Sequence, residues 1–124
     1  MINRFDQRQV YEATVHACLC AVAENFPHLA MRDIVEPPHE WFDAALARQI
    51  VMHLLIYEFG WPKRRVVEIE ERSREAINRA LRTINNRMQH DRFAGQYFKM
   101  TERARSLLFI VTSANEAPFQ DEVA

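Results

Sequence analysis

The sequence predicts an all-α fold of about five helices in a single domain. Glycine, which weakens helices, occurs only twice among the 124 residues, whereas an average protein contains about 7% glycine. Apolar residues recur at intervals of three and four, which is the spacing of one face of an α-helix. Hydrophobic residues make up 48% of the chain, so a core can form without disulfides or metals. We expect one domain over residues 1–113 and a flexible acidic tail over residues 114–124.

The first predicted helix spans about residues 6–25. Its apolar positions recur at helical spacing. Asp6 is well placed to cap its N-terminus, because an aspartate oxygen accepts hydrogen bonds from the free N–H groups there. The region after this helix is expected to be a loop, because proline interrupts helices. Three prolines mark this loop: Pro27, Pro37 and Pro38.

The second predicted helix starts at Trp41 or Asp43 and continues to Phe59. It is apolar nearly all the way round, which is typical of a helix in the middle of a core. Gly60 follows at the position of a C-terminal glycine cap. Pro62 then prevents the helix from continuing.

Three further helices are predicted in the second half of the chain. A short helix covers residues 63–71. The next one follows Ser73, a favourable N-terminal cap residue, and continues to about residue 89. Asp91 is expected to cap the last helix. The link between the first two of these helices is short, at residues 70–72.

Charge is unevenly distributed along a chain whose formal net charge is −1. Residues 61–105 carry twelve basic and six acidic side chains, whereas residues 1–60 carry four basic and eight acidic ones. Residues 106–124 carry three acidic side chains and no basic one. A positive segment inside a near-neutral chain indicates a local surface for an anionic partner such as nucleic acid.

The fourth predicted helix has one apolar face and one face rich in arginine and asparagine. At about 100° per residue, the apolar side carries Ile77, Ala80, Leu81, Ile84 and Met88. The opposite side carries Arg74, Glu75, Asn78, Arg79, Arg82, Asn85 and Asn86. Arginine pairs with guanine and asparagine pairs with adenine in the major groove. Asparagine is a poor helix former, so helix stability does not explain its presence on this face. This face predicts contacts with DNA bases; a solvated face that only confers solubility is the alternative.

The segment before this helix completes a helix-turn-helix outline over about residues 43–100. Lys63, Arg64 and Arg65 begin the short third helix, and the tight link at residues 70–72 leads into the capped fourth helix. The link lacks the glycine that often occurs in such turns.

Three short stretches within residues 44–100 correspond to motifs of a known DNA-binding domain, and two of them match its pattern. Residues 48–54 have the sequence Arg-Gln-Ile-Val-Met-His-Leu, where that domain has Arg-Gln-x-x-Met-x-Leu. Residues 70–77 stand where it has Gly-Gly-Arg-Asp-His-Thr-Thr-Val, and residues 80–84 match its Ala-x-Arg-x-Ile ending. By these motifs the chain resembles the C-terminal domain of the bacterial replication initiator DnaA, a Trp-repressor-like helix-turn-helix.

The resemblance implies roles for the basic residues. Arg72, Ser73 and Arg74 would enter the major groove at the N-terminus of the recognition helix, and Arg48 would lie near the DNA. The start of the third helix would contact phosphates. The full set of expected DNA-binding residues is Arg48, Lys63, Arg64, Arg65, Arg72, Ser73, Arg74, Glu75, Asn78, Arg79 and Arg82. The alternatives are an ion-paired Arg48 on the central helix and a solvated charge cluster at residues 63–65.

The departures from the initiator domain shape the functional hypotheses. Only Arg72 of its Arg-Asp-His-Thr-Thr core is kept, so a different DNA sequence is expected. The chain has no Gly-x-x-x-x-Gly-Lys-Ser/Thr loop, so we expect no nucleotide binding. The first hypothesis is a short stand-alone bacterial protein that binds double-stranded DNA and regulates transcription or replication. The second is a non-catalytic adaptor that binds a protein through the charged face of the fourth helix.

The remaining polar residues give no sign of an enzyme, a metal site or a cofactor. The five histidines lack metal-ligand spacing, and each is expected at the surface or at an edge. Adjacent carboxylates on a short helix are usually solvated, which is our expectation for Glu68, Glu70 and Glu71. Cys18 and Cys20 are too close along a helix to pair, which fits reduced thiols in the cytoplasm.

Location and oligomeric state follow from the apolar residues. The N-terminal residues lack the apolar stretch of a signal peptide, and no apolar run approaches the roughly 20 residues of a membrane span. We therefore expect a cytoplasmic, nucleoid-associated protein without membrane contact. Surplus apolar residues on the first and last helices predict a homodimer, unless those helices pack on each other. They are Val10, Ala17, Leu19, Leu107, Leu108, Phe109 and Ile110.

Overall fold

The computed structural model describes residues 6–38 and 41–113, and all regular structure in these two ranges is helical. The prediction of an all-α fold is therefore confirmed. Six α-helices follow one another in these ranges: α1 (Gln7–Ala23), α2 (Met31–Val35), α3 (Phe42–His53), α4 (Lys63–Glu70), α5 (Arg74–Arg87) and α6 (Asp91–Ser113). A π-helical turn (Leu54–Glu58) extends α3. The tail predicted over residues 114–124 lies outside the described residues.

Two predicted N-terminal caps are confirmed. The Asp6 carboxylate accepts hydrogen bonds from the backbone N–H groups of Arg8 at 3.0 Å and Gln9 at 3.4 Å. The Ser73 hydroxyl oxygen accepts one from the backbone N–H of Ala76 at 3.0 Å. Each cap satisfies donors that have no partner inside the helix. The Ser73 cap fixes where α5 begins.

The central helix ends with a π-helical turn and a glycine cap. The N–H of Phe59 bonds to the carbonyl oxygen of Leu54 at 3.0 Å, five residues back, which is π-helical spacing. Gly60 then adopts a φ of +71°, and the N–H of Trp61 reaches the carbonyl oxygen of Leu55 at 3.0 Å. This is how a glycine cap closes a helix. The role of Gly60 is thus confirmed, whereas the π-helical turn was not predicted.

Two details differ from the sequence prediction. The expected loop contains α2, whose Ile34 is fully buried. A helix of five residues is too short to show periodicity, so the prolines around it determined the prediction. α6 begins at Asp91 itself. Asp91 therefore lies in the first turn, where a negative charge favours the positive helix end, rather than at the cap position.

α3 lies at the centre of the core. Ile50, Val51, Leu54 and Leu55, in α3 and its π-helical turn, are buried. The amphipathic α5 packs on α3. Its buried residues are Ile77, Ala80, Leu81 and Ile84, which belong to the apolar face that the helical spacing predicted. α1 contacts both α3 and α6. This arrangement leaves the polar side of α5 on the surface.

No helix within residues 6–38 and 41–113 is both long and apolar enough to cross a membrane. Both cysteines are free. Cys18 is buried, and burial raises the pKa of its thiol to about 12. This thiol therefore stays protonated and unreactive at neutral pH.

Candidate nucleic-acid interface

The α4–α5 pair is joined by a turn of three residues, Glu71, Arg72 and Ser73. Glu71 has a φ of +53° and a ψ of +36°, which is the left-handed conformation. This conformation costs a residue with a side chain about 1–2 kcal/mol. A strained glutamate therefore occupies the position in this link where a glycine would adopt the same conformation without strain.

The outer face of α5 is exposed to solvent. Arg74, Glu75, Arg79 and Arg82 are exposed, and Asn78 is partly exposed. The Glu75 carboxylate lies 3.9 Å from the guanidinium of Arg79 and 4.0 Å from that of Arg82. Ion pairs this long between exposed side chains stabilise a fold little. The side chains of Arg74 and Asn78 make no hydrogen bond or ion pair with any other described residue.

The start of α4 is basic. Arg65 donates a hydrogen bond to the side-chain oxygen of Gln7 at 2.7 Å, whereas Lys63 and Arg64 have no partner within the described ranges. The first turn of α4 contains no acidic residue. Cations at the positive N-terminal end of a helix are unfavourable, each by about 0.3–1 kcal/mol at low salt. Helix stability therefore does not explain why these residues are basic.

Arg48 does not belong to this exposed surface. It is 8% exposed, and its Nη2 donates to the carboxylate of Glu70. Its Nε–H is buried and has no acceptor among the residues that the structure describes. The structure therefore favours the ion-paired alternative for Arg48 over a DNA contact. Arg72, in the turn, is partly exposed, and its nearest hydrogen-bond acceptor is the carbonyl oxygen of Val35 at 3.4 Å.

Glu70 connects α1, α3 and the end of α4. Its side chain is only 12% exposed. One carboxylate oxygen accepts from Arg48 and the other accepts from the Tyr11 hydroxyl at 3.1 Å. Burial, together with the charge of Glu70, raises the pKa of Tyr11 above its ordinary value. The expectation of three solvated carboxylates is wrong for Glu70, whereas Glu68 and Glu71 are exposed as expected.

The buried His53 is the centre of a second network, which runs from the core to exposed side chains of α5 and the π-helical turn. It is 4% exposed, so the expectation of a surface or edge histidine is wrong here. Its Nε2 lies 2.7 Å from Oδ1 of Asn85, and its Nδ1 pairs with the Tyr97 hydroxyl. The ring stacks on Tyr57 with centroids 4.3 Å apart. Burial lowers the pKa of His53.

The His53 contacts fit one tautomer of the neutral ring, which its lowered pKa favours. Since the Asn85 Oδ1 can only accept, Nε2 carries the proton and Nδ1 accepts from the Tyr97 hydroxyl. The amide nitrogen of Asn85 donates in turn to the Tyr57 hydroxyl at 3.4 Å. The helical spacing placed Asn85 on the DNA-facing side of α5, but its side chain is hydrogen-bonded to His53 and Tyr57 within the protein.

Part of the positive segment is neutralised away from α4 and α5. Arg103 in α6 makes a bidentate contact with Glu24, with two N–O distances of 3.1 Å. Arg105 lies 3.6 Å from the carboxylate of Glu58. The basic side chains left for an anionic partner are therefore fewer than the sequence segment indicated. α4, the turn and α5 together carry eight basic residues: Lys63, Arg64, Arg65, Arg72, Arg74, Arg79, Arg82 and Arg87.

Comparison of the chain with family models, curated proteins and solved structures finds no match. The similarity to the initiator domain therefore stays a prediction based on three short motifs. Among the described residues, no group of three or more histidine, cysteine, aspartate and glutamate side chains is arranged to hold a metal ion.

Proposed function

We propose that the protein binds double-stranded DNA with α5 as the recognition helix, and that it regulates transcription or replication at the nucleoid. One observation carries this proposal. Arg74 and Asn78 lie one turn apart on the outer face of α5 and have no partner among the described residues. Their side chains are those that pair with guanine and adenine in the major groove.

The basic side chains at the start of α4 also support the proposal. Lys63 and Arg64 oppose the positive end of their own helix and have no described partner. DNA phosphates would neutralise this charge, because the first helix of a helix-turn-helix crosses the DNA backbone. The motifs shared with the initiator domain point in the same direction.

A duplex titration tests the proposal. We expect micromolar or tighter binding to a random-sequence duplex library at low salt, measured by fluorescence anisotropy. With about four to six phosphate contacts, the logarithm of the binding constant should fall with the logarithm of salt concentration at a slope of about −4 to −5. No binding at 50 mM salt, a concentration at which such contacts are strong, would contradict the proposal.

An adaptor that binds a protein is the second candidate. Glu75 stands in the middle of the outer face, where it offsets part of the charge of Arg79 and Arg82. A carboxylate repels phosphates, whereas it suits a mixed-charge protein surface. If duplex DNA does not bind, chemical crosslinking in cells to a position on this face should instead capture one defined protein, and Glu75→Lys should abolish that product.

The homodimer stays a prediction, and fewer exposed apolar residues support it than the sequence analysis counted. Ala17 and Leu19 are buried and α1 packs on α6, so much of the surplus apolar surface is used within one chain. Phe109 and Ile110 in α6 remain 69% and 60% exposed. Sedimentation should give a dimer mass at tens of micromolar, lost in Phe109→Ser/Ile110→Ser and kept in Phe98→Ser. A monomer mass for the unchanged protein would exclude the dimer.

A further inference from the structure

A cleft lies beneath the N-terminal turns of α5. Its walls are α3, α5 and the segment that contains Pro37 and Pro38, with Arg72 of the turn at its edge. Its volume is about 430 Å³. Sites for small molecules generally have volumes of about 300–1,000 Å³, so the cleft is large enough for a ligand of one or two rings.

The cleft is hollow because small side chains face each other across it. Ala45 on α3 and both Ala76 and Ala80 on α5 line it. The apolar surface is completed by Met52 and Ile77, both of which are nearly fully buried. This part of the cleft suits an apolar body rather than a hydrated ion.

The polar surface of the cleft is mainly cationic, since Arg48, Arg72 and Arg79 line it together with Gln49. The charge of Arg48 is paired with Glu70, so the cleft owes its positive charge chiefly to Arg72 and Arg79. Their donors are incompletely used. Arg72 makes one contact of 3.4 Å to a carbonyl oxygen, and the carboxylate nearest to Arg79 is 3.9 Å away. The first turn of α5 adds the positive end of a helix dipole.

We propose that this cleft binds a small amphipathic anion. The ligand would carry one carboxylate or phosphate monoester on an apolar body of one or two rings. The apolar body would lie against Ala45, Met52 and Ala80, and the anionic group would face the arginines. Arginine suits either group, because its N–H donors match the oxygens of carboxylates and phosphates in pairs. This inference does not depend on DNA binding.

Three probes that share a naphthalene body test the proposal: 1-naphthoate, 1-naphthyl phosphate and the uncharged 1-naphthylmethanol. Each is titrated into the full-length protein and followed by NMR of the amide and methyl groups. We expect at least one anion to bind saturably with a dissociation constant of about 1 mM or tighter. The alcohol should bind at least tenfold more weakly. The stronger of the two anions assigns the ligand as a carboxylate or a phosphate.

Two variants locate the bound probe. Ala45→Leu fills the cleft and should weaken the anion at least tenfold. Ala13→Leu, at a partly buried helical alanine in the groove between α1 and α6, should leave binding unchanged. Arg79→Gln, at an exposed position that the fold tolerates, should weaken the anions and leave the alcohol unaffected.

The proposal is overturned by any of three results. The first is no saturable shift for either anion at 10 mM, well above the expected constant of about 1 mM. The second is equal binding of the alcohol and the anions. The third is anion binding that Arg79→Gln leaves unchanged, which remains decisive even if Ala45→Leu does not fold.

Discussion

The α1–α6 pair and the α4–α5 pair differ in how some of their charged residues are paired. Arg103 on α6 meets Glu24 at the end of α1 in a bidentate contact, whereas Lys63, Arg64 and Arg74 on α4 and α5 have no partner in the described ranges. The first pair therefore joins two of its charges within the chain, although Arg92 and Lys99 on α6 have no partner among the described residues. The second pair leaves cations at two helix N-termini, where they oppose the helix dipole. Charges that a fold leaves unpaired at a cost indicate the surface that binds something else.

The two regions also differ in how deeply their ion pairs are buried. Glu70, the last residue of α4, accepts hydrogen bonds from Arg48 and Tyr11. A desolvated ion pair therefore lies directly before the turn between α4 and α5. The Arg103–Glu24 contact is about half exposed on both sides. A buried pair is costly to break, whereas an exposed pair contributes little.

The largest expected effect is on stability, from Glu70→Gln. This change leaves Arg48 as a buried charge without its counterion and should lower the free energy of unfolding by about 3–5 kcal/mol. Glu68→Gln, on the exposed side of the same helix, should change it little. Urea unfolding followed by circular dichroism measures both. A loss below about 1 kcal/mol, as for an exposed pair, would contradict the account of the turn.

A smaller effect is expected from pH, through His53. Burial lowers the pKa of folded His53 below its ordinary value of 6.5, although the charge of Glu58 opposes this. The unfolded chain therefore binds a proton first, so the stability that His53 contributes is present above pH 6.5 and is lost as pH falls below it. Thermal unfolding at pH 7.5 and 5.5, on either side of this value, measures the difference. His53→Gln should reduce this difference, whereas His90→Gln, at an exposed position, should not.

The smallest expected effect is on the turn residue Glu71. Glycine adopts the left-handed conformation without strain, which gains about 1–2 kcal/mol, but it has more entropy to lose on folding, about 0.4–1 kcal/mol. Glu71→Gly should therefore stabilise the protein by up to about 1 kcal/mol. Glu68→Gly, within α4, should instead destabilise it by about 1 kcal/mol. Equal losses for both variants would show that Glu71 is not strained.

The sequence predicted the features that depend on neighbouring residues. The Asp6 and Ser73 caps, the Gly60 ending and the buried face of α5 follow from local spacing and capping chemistry. α2 was missed because a helix of five residues carries no periodicity.

The contacts between distant residues were beyond local pattern. Glu70 meets Arg48 across 22 positions and Tyr11 across 59, and His53 meets Tyr97 across 44. No spacing rule encodes such contacts, so Glu70 and His53 were expected at the surface. The resemblance to the initiator domain implied that Arg48 lies near DNA. In the structure Arg48 is buried and donates to Glu70, a contact that no local motif shows.

The central claim is that Arg74 and Asn78 contact DNA bases, and its most direct test is a comparison of alanine variants on a duplex site selected from a random pool. Arg74→Ala and Asn78→Ala should each cost about 1–3 kcal/mol in binding and relax the preference at one base position. Arg103 on α6 is ion-paired with Glu24, so Arg103→Ala should leave both the affinity and the base preference unchanged. Circular dichroism should show all three variants folded. Unchanged affinity and unchanged base preference in folded Arg74→Ala and Asn78→Ala would contradict the account.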